Sequence, residues 1–171
     1  KTIQQLSWAD AVAKHESGNV LILAPLAVSK QTAQEAARFG IACTLCESQQ
    51  DVQPGVNITN YEKIHKFNTD SFVGVVLDES SILKSYSGKT TADMIKRFRH
   101  TPYKLACTAT PSPNDFTELG NHAEFLDVMT MNEMLSMYFI NDSSSGFGWR
   151  RCLFFISTGG WHHRGRSGWG S

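Results

Sequence analysis

Apolar residues along this chain fall into two alternating patterns. In one, they recur at helical spacing, as at Leu6, Ala9 and Val12 before a stop at Ser17-Gly18-Asn19. In the other, they form short continuous runs, as at 20–24, which is typical of a strand buried on both faces. The predicted helices are 3–13, 29–39, 61–67, 90–98, 116–126 and 132–139, and the predicted strands are 20–24, 41–45, 56–59, 72–77 and 103–108. This alternation predicts an α/β domain with a mostly parallel sheet.

The residues that follow four of the predicted strands should meet at one edge of the sheet. Parallel strands place their carboxyl ends together, and ligands of open α/β sheets bind there. These residues are Pro25, Asn60, the pair Asp78-Glu79 and the segment 108–111. Asn60 is also suited to cap the short helix at 61–67.

Asp78 and Glu79 directly follow an apolar strand, an arrangement that is common in magnesium-dependent NTPases. One carboxylate then holds Mg²⁺, usually through water, and the other orients and deprotonates the attacking water. The alternative is a solvated strand end in which the aspartate caps a helix.

The first two residues, Lys1 and Thr2, run straight into an amphipathic helix, as the last two residues of a P-loop do. The lysine would reach the β- and γ-phosphates and the threonine hydroxyl would bind Mg²⁺. An arbitrary N-terminus is the alternative. A second Gly-Lys-Thr string, at 88–90, lacks the glycine that a P-loop needs at position 83, which is Leu83 here. It is interpreted as part of a loop, 88–91, that caps the next helix.

Five segments in order resemble the first RecA-like lobe of a superfamily-two helicase or translocase, with most similarity to the Swi/Snf-type branch and its phage and bacterial relatives. KTIQ is similar to motif I, LILAPLAVSKQTAQE to motif Ia, ITNYE to motif Ib, LDESSILKS to motif II and LACTATPSPNDFTELGNHAEFL to motif III. The resemblance covers about residues 1–130. Ser80 and Ser81 depart from it, since the family often has Ala-His or Gly-His there.

The resemblance implies a RecA-like three-layer domain, truncated at its N-terminus within the P-loop, that uses ATP and Mg²⁺. It further implies DNA rather than RNA as a partner, a second RecA-like lobe in the same polypeptide, and little ATP hydrolysis by these 171 residues alone. The implied site residues are Glu79 and Asp78 for catalysis, Lys1 and Thr2 for nucleotide binding, Asp78 and Thr2 for the metal, Thr108, Ala109 and Thr110 for coupling, and Ala24, Pro25, Leu26, Thr59 and Asn60 for nucleic acid.

Two rival functions stay open. A non-catalytic nucleotide- or nucleic-acid-binding module would keep the sheet, but it has no need of a water-activating acid. A different P-loop enzyme, such as a kinase, would not require the motif Ia and Ib strings.

Composition divides the chain after Asp142. Residues 1–142 hold 12 basic and 16 acidic residues, whereas 143–171 has no acid, three of the four tryptophans and seven of the thirteen glycines. We expect a partial helicase-type lobe at 1–142 and an atypical tail at 143–171. The tail is either a basic, aromatic segment that touches nucleic acid or, as we favour, disordered or not the native continuation.

The remaining candidates are weaker. Cys43 and Cys46 have CxxC spacing, but no second pair accompanies them, so we expect buried apolar cysteines. His15, His65, His100 and His122 are expected to be solvated or to cap helices. No apolar run approaches the roughly 20 residues of a membrane span, and the N-terminus does not look like a signal peptide. We therefore expect no membrane partner and an intracellular protein, cytoplasmic if prokaryotic or phage-encoded.

Overall fold

A computed structural model describes residues 1–80, 88–108, 118–141 and 149–151. Its main sheet has five strands, all parallel, in the order β2-β3-β1-β4-β5. These strands are β1 Asn19–Ala24, β2 Cys43–Leu45, β3 Val56–Asn60, β4 Phe72–Asp78 and β5 Tyr103–Cys107. A separate antiparallel pair joins β6 (Phe139–Asn141) to β7 (Trp149–Arg151).

Helices flank this sheet. They are α1 Thr2–Glu16, α2 Leu26–Arg38, α3 Gly88–Arg97, α4 Glu118–Phe125 and α5 Met131–Tyr138, with 3-10 helices at Gln49–Asp51, Tyr61–Lys66 and Thr69–Ser71. In the part of the chain that the structure describes, no helix combines the length and the apolar character needed to cross a membrane.

The central strands are buried on both faces, as their continuous apolar runs predict. On one face, Val20 and Ile22 of β1 belong to a core with Leu6 and Ala9 of α1. On the other face, Leu21 and Leu23 lie in a core with Met94 of α3, Phe98 and Phe125 of α4. The sheet is therefore the middle of three layers, a layout consistent with a RecA-like or Rossmann-type domain.

The predicted strands are confirmed, with small differences at their ends. β2 is shorter than predicted, and α2 begins at Leu26 instead of Ser29, with Pro25 as its N-cap. The short helix after β3 is a 3-10 helix, and the predicted cap is confirmed because the Asn60 side chain accepts a hydrogen bond from the backbone N–H of Lys63.

The prediction of a loop at 88–91 is wrong, because these residues form the first turn of α3. Glycine and threonine are tolerated there, since the first four N–H groups of a helix have no partner within the helix in any case. Within the tail predicted at 143–171, β7 pairs with β6, so this pairing crosses the predicted boundary at 142/143.

Candidate functional site

The carboxyl ends of the parallel strands lie side by side, as predicted. Ala24 of β1 is in register with Asn60 of β3, Leu23 is in register with Leu77, and Asp78 of β4 is in register with Cys107 of β5. The candidate residues at the ends of four strands therefore share one edge of the sheet.

The two acids at the end of β4 share one cation. Nζ of Lys1 lies 3.2 Å from Oδ1 of Asp78 and 2.8 Å from Oε2 of Glu79. The Asp78 side chain is 7% exposed, whereas those of Lys1 and Glu79 are 39% and 42% exposed. The Asp78 side chain is thus buried, whereas the Glu79 side chain is accessible to solvent. This difference suits different roles for the two acids.

Helix α1 brings Lys1 to this edge. Its residues Leu6, Ala9 and Val12 pack on the sheet, and its N-terminus reaches the carboxyl end of β4. Partial burial by itself lowers the pKa of the Lys1 ammonium group. The hydrogen bonds to Glu79 and Asp78 and the negative charges of both acids outweigh that effect, so the pKa is raised from its ordinary value.

The segment Asp78-Glu79-Ser80, which we call the acid turn, has an unusual backbone. Glu79 has a φ of 57°, in the left-handed region that residues with a Cβ atom seldom adopt. The hydroxyl of Tyr61 donates to the backbone carbonyl of Asp78 at 2.8 Å, and the Ser80 N–H donates to the carbonyl of Cys107 at 2.9 Å. Neighbouring elements therefore hold the turn on both sides of Glu79.

A further contact joins the acid turn to α4. The Ser80 hydroxyl oxygen lies 3.0 Å from Nε2 of His122, and the tautomer of the ring decides which of the two donates. Ser80 is fully buried and His122 is 8% exposed. The expectation that His122 is solvated or caps a helix is wrong, while His15, His65 and His100 are exposed as expected.

Sequence reasoning missed Tyr61 and His122 as parts of this site. Tyr61 falls within the motif Ib string, and no local pattern indicates that its hydroxyl reaches β4. His122 lies three residues before Phe125, on the same side of a helix, and Phe125 is buried. That spacing is the one signal that could have placed His122 in the interior.

The two carboxylates could hold a magnesium ion. Mg²⁺ is commonly bound by one or two protein carboxylates together with water and substrate phosphates. Asp78 and Glu79 provide that number, and the ammonium group of Lys1 shows that they can share one cation. Thr2 is half-buried at the start of α1, next to Lys1. Within the described ranges, no cluster of three or more histidine, cysteine, aspartate or glutamate residues suits a metal.

Of the predicted coupling residues, Thr108 is half-buried directly after β5, and Ala109 and Thr110 lie outside the described residues. Thr108 follows Cys107, whose carbonyl accepts the Ser80 N–H, so the first of the predicted coupling residues adjoins the acid turn. Burial and the charge of Asp78 raise the pKa of the Cys107 thiol, against the smaller opposite effect of Lys1 and the N-terminal ammonium group.

The five predicted nucleic-acid residues differ in exposure. Ala24 is fully buried, Thr59 is 1% exposed and Asn60 is 4% exposed, whereas Leu26 is 59% exposed. Pro25, between β1 and α2, is half-buried. Pro25 and Leu26 therefore present the accessible surface of this group, and the other three are buried.

The CxxC pair has no metal-binding geometry. Cys43 packs against the core under α1 and α2, while Cys46 lies in the core on the opposite face of the sheet. Burial, with a smaller effect of neighbouring negative charge, raises the pKa of Cys43 to about 12 and that of Cys46 to about 11. Both are free thiols, and the expectation of buried apolar cysteines is confirmed for Cys46 and met in part by the half-buried Cys43.

A scan against models of protein families and a search of curated proteins find no match to this chain. The contacts at the sheet edge therefore carry the functional argument, together with the resemblance of the motif strings.

Proposed function

We propose that this chain is the ATP-binding, RecA-like lobe of a nucleic-acid-dependent ATPase, a helicase or a double-stranded DNA translocase. The observation that carries the proposal is the triad at the carboxyl edge, in which Asp78 and Glu79 share the ammonium group of Lys1 at the N-terminus of α1. Two acids and a lysine at a helix N-terminus are among the groups with which P-loop enzymes hydrolyse a nucleoside triphosphate.

The exposures suggest the division of roles. Asp78, almost fully buried at the end of a central strand, has the rigid position that suits a ligand of a magnesium ion. The Thr2 hydroxyl, next to Lys1 in the chain, would be a second ligand, as the resemblance implies. Glu79, half-exposed, is placed to orient an attacking water and take its proton. The bound Mg²⁺ would neutralise charge on the phosphates and polarise them.

In this scheme, the acids of the acid turn and the phosphates of ATP compete for the ammonium group of Lys1. It contacts both acids here, and it would turn toward the β- and γ-phosphates when ATP binds. The N–H groups at the start of α1 favour the same anion, because the helix dipole places partial positive charge there. Release of Glu79 from Lys1 would free that carboxylate for the water.

The other assignments follow from the resemblance and from position. Pro25 and Leu26 would contact the sugar–phosphate backbone, where binding depends on salt and little on sequence. Segment 108–110 would couple the nucleotide state to closure against a second RecA-like lobe of the same polypeptide. The resemblance favours DNA over RNA.

The proposal is tested by Mg²⁺-dependent ATP hydrolysis of the protein that carries this chain, with and without duplex DNA. Asp78→Asn should abolish hydrolysis, while Asp70→Asn, at an exposed acid of a 3-10 helix, should leave it unchanged. Normal hydrolysis in Asp78→Asn would refute the assignment. ATP binding without hydrolysis in the wild type would instead favour the non-catalytic binding module.

A further inference from the structure

The acid turn adopts a backbone conformation that it would not keep unaided. A residue with a Cβ atom is disfavoured in the left-handed region, because its Cβ atom lies too close to the following carbonyl oxygen. Glu79, at φ 57°, is such a residue. Conformations of this kind persist only where surrounding contacts determine them.

Ser80 provides two of those contacts. Its backbone N–H donates to the carbonyl of Cys107 at 2.9 Å, and its hydroxyl lies 3.0 Å from Nε2 of His122. Ser80 is fully buried, so both hydrogen bonds are shielded from competing water. These two hydrogen bonds fix the position of Ser80, the residue directly after Glu79.

His122 itself has a well-determined position. It lies on α4, and Phe125 of the same helix packs edge-on against Phe98, with ring centroids 6.5 Å apart. Phe98 and Phe125 belong to the core beneath β1 and β4. Helix α4, which carries His122, is thereby packed on the sheet whose edge carries the acids.

We propose that His122 is a positioning residue for Glu79, and that it acts by holding Ser80. The hydrogen bond between Ser80 and His122 fixes the end of the acid turn, which keeps Glu79 left-handed and its carboxylate at the sheet edge. The catalytic consequence rests on the proposed function, whereas the structural consequence does not. In the structure, His122 acts through Ser80 and is not itself a catalytic residue.

The same contact makes the acid turn sensitive to the position of α4. A shift of that helix would move His122, then Ser80, and with it the bond from Ser80 to Cys107 beside the coupling residue Thr108. The acid turn, the tip of β5 and α4 would then respond together when the domain changes shape.

The test compares three variants of the protein that carries this chain. His122→Leu removes the polar contact, and His122→Gln retains a polar nitrogen near the position of Nε2. Phe67→Leu is the control for core packing, because Phe67 is 5% exposed and belongs to the same core but lies outside α4. For each, amide hydrogen exchange at Glu79 and Ser80 is measured, together with kcat and KM for ATP and the melting temperature.

We expect faster exchange at Ser80 in His122→Leu and a kcat lowered about tenfold with an unchanged KM, the size of effect that follows from losing one buried hydrogen bond. His122→Gln should restore most of the protection from exchange at Ser80 and most of kcat. Phe67→Leu should lower the melting temperature. Its kcat, and its exchange at Ser80 relative to the rest of the sheet, should stay as in the wild type.

Unchanged exchange at Ser80 in His122→Leu would overturn the proposal, and so would an unchanged kcat in a protein that hydrolyses ATP. Equal loss of kcat in Phe67→Leu would also overturn it, by showing a general packing effect. If the wild type hydrolyses no ATP, the proposed function fails, and the exchange measurement still decides whether His122 holds the acid turn.

Discussion

Two groups of strand ends share one edge of the sheet, but they are built differently. The acid turn after β4 is held by residues from four other parts of the chain, Lys1, Tyr61, Cys107 and His122. The ends of β1 and its neighbour β3 form the second group, which we call the neutral tip (residues 24–26 and 59–60). Its side-chain hydrogen bonds join residues that are close together in the chain. Asn60 caps the helix that follows it, and the Ser29 hydroxyl donates to the carbonyl of Leu26.

This difference suits the two roles proposed above, catalysis at the acid turn and nucleic-acid contact at the neutral tip. Catalytic groups must be held within a fraction of an ångström of their working positions, which needs support from several elements. A surface that follows a nucleic-acid backbone needs less precision, because its contacts are numerous and independent of sequence. The acid turn has the first kind of construction and the neutral tip the second.

Among the residues that hold the acid turn, the largest effect is expected at Lys1. Lys1→Ala should lower kcat/KM for ATP on the order of 10²–10³-fold, the range found when one preorganised donor to a developing charge is removed. Steady-state hydrolysis measures it. Lys14→Ala is the matched control, because Lys14 lies on the same helix and pairs with Asp10 at 2.6 Å on the surface. A similar loss of kcat/KM in both variants would show that the contact of Lys1 with the acid turn has no special role in hydrolysis.

The left-handed backbone of Glu79 predicts that two variants at this position differ in stability. Both Glu79→Gly and Glu79→Ala lose the carboxylate, but only alanine keeps a Cβ atom that disfavours a φ of 57°. Glu79→Gly should therefore be the more stable by about 1 kcal/mol, as measured by denaturant unfolding. Equal stabilities would mean that the turn relaxes once the side chain is removed.

Tyr61 connects the two groups of strand ends, since it follows Asn60 and its hydroxyl reaches Asp78. Tyr61→Phe should lower the free energy of unfolding by about 1 kcal/mol, because a buried hydrogen bond is lost. In Tyr103→Phe, the lost bond goes to Glu16 on the surface, and we expect little change. Urea titration of both variants distinguishes them, and an equal cost would contradict the account.

The neutral tip gives the smallest predicted effect. Leu26→Glu places a negative charge where nucleic acid is proposed to bind, so affinity for duplex DNA should fall a few-fold, with a shallower dependence on salt. Phe39→Glu is the control, because Phe39 is 53% exposed at the opposite end of α2. Fluorescence anisotropy at several salt concentrations measures both, and a larger loss in the control would move the contact surface elsewhere.

The sequence predicts which residues lie at the carboxyl edge of the sheet better than it predicts the contacts that hold those residues. Continuous apolar runs such as 20–24 and 72–77 locate the strands, and parallel crossovers then bring their ends together. The bonds from Tyr61 to Asp78 and from Ser80 to His122 span 17 and 42 residues of the chain. They depend on how layers pack, which local patterns do not contain. The predicted start of α2 is wrong for a different, local reason, because proline can end a strand, as predicted at Pro25, but is also tolerated at the start of a helix.

The role of Glu79 is the central claim, and Glu79→Gln tests it most directly. Glutamine keeps the size of the side chain and removes the base, so ATP hydrolysis should fall by about 10²–10⁴-fold. Binding of ATP, followed with a fluorescent analogue in the presence of Mg²⁺, should stay close to that of the wild type. Normal turnover in Glu79→Gln would contradict the account, and would show that the acid turn does not activate the attacking water.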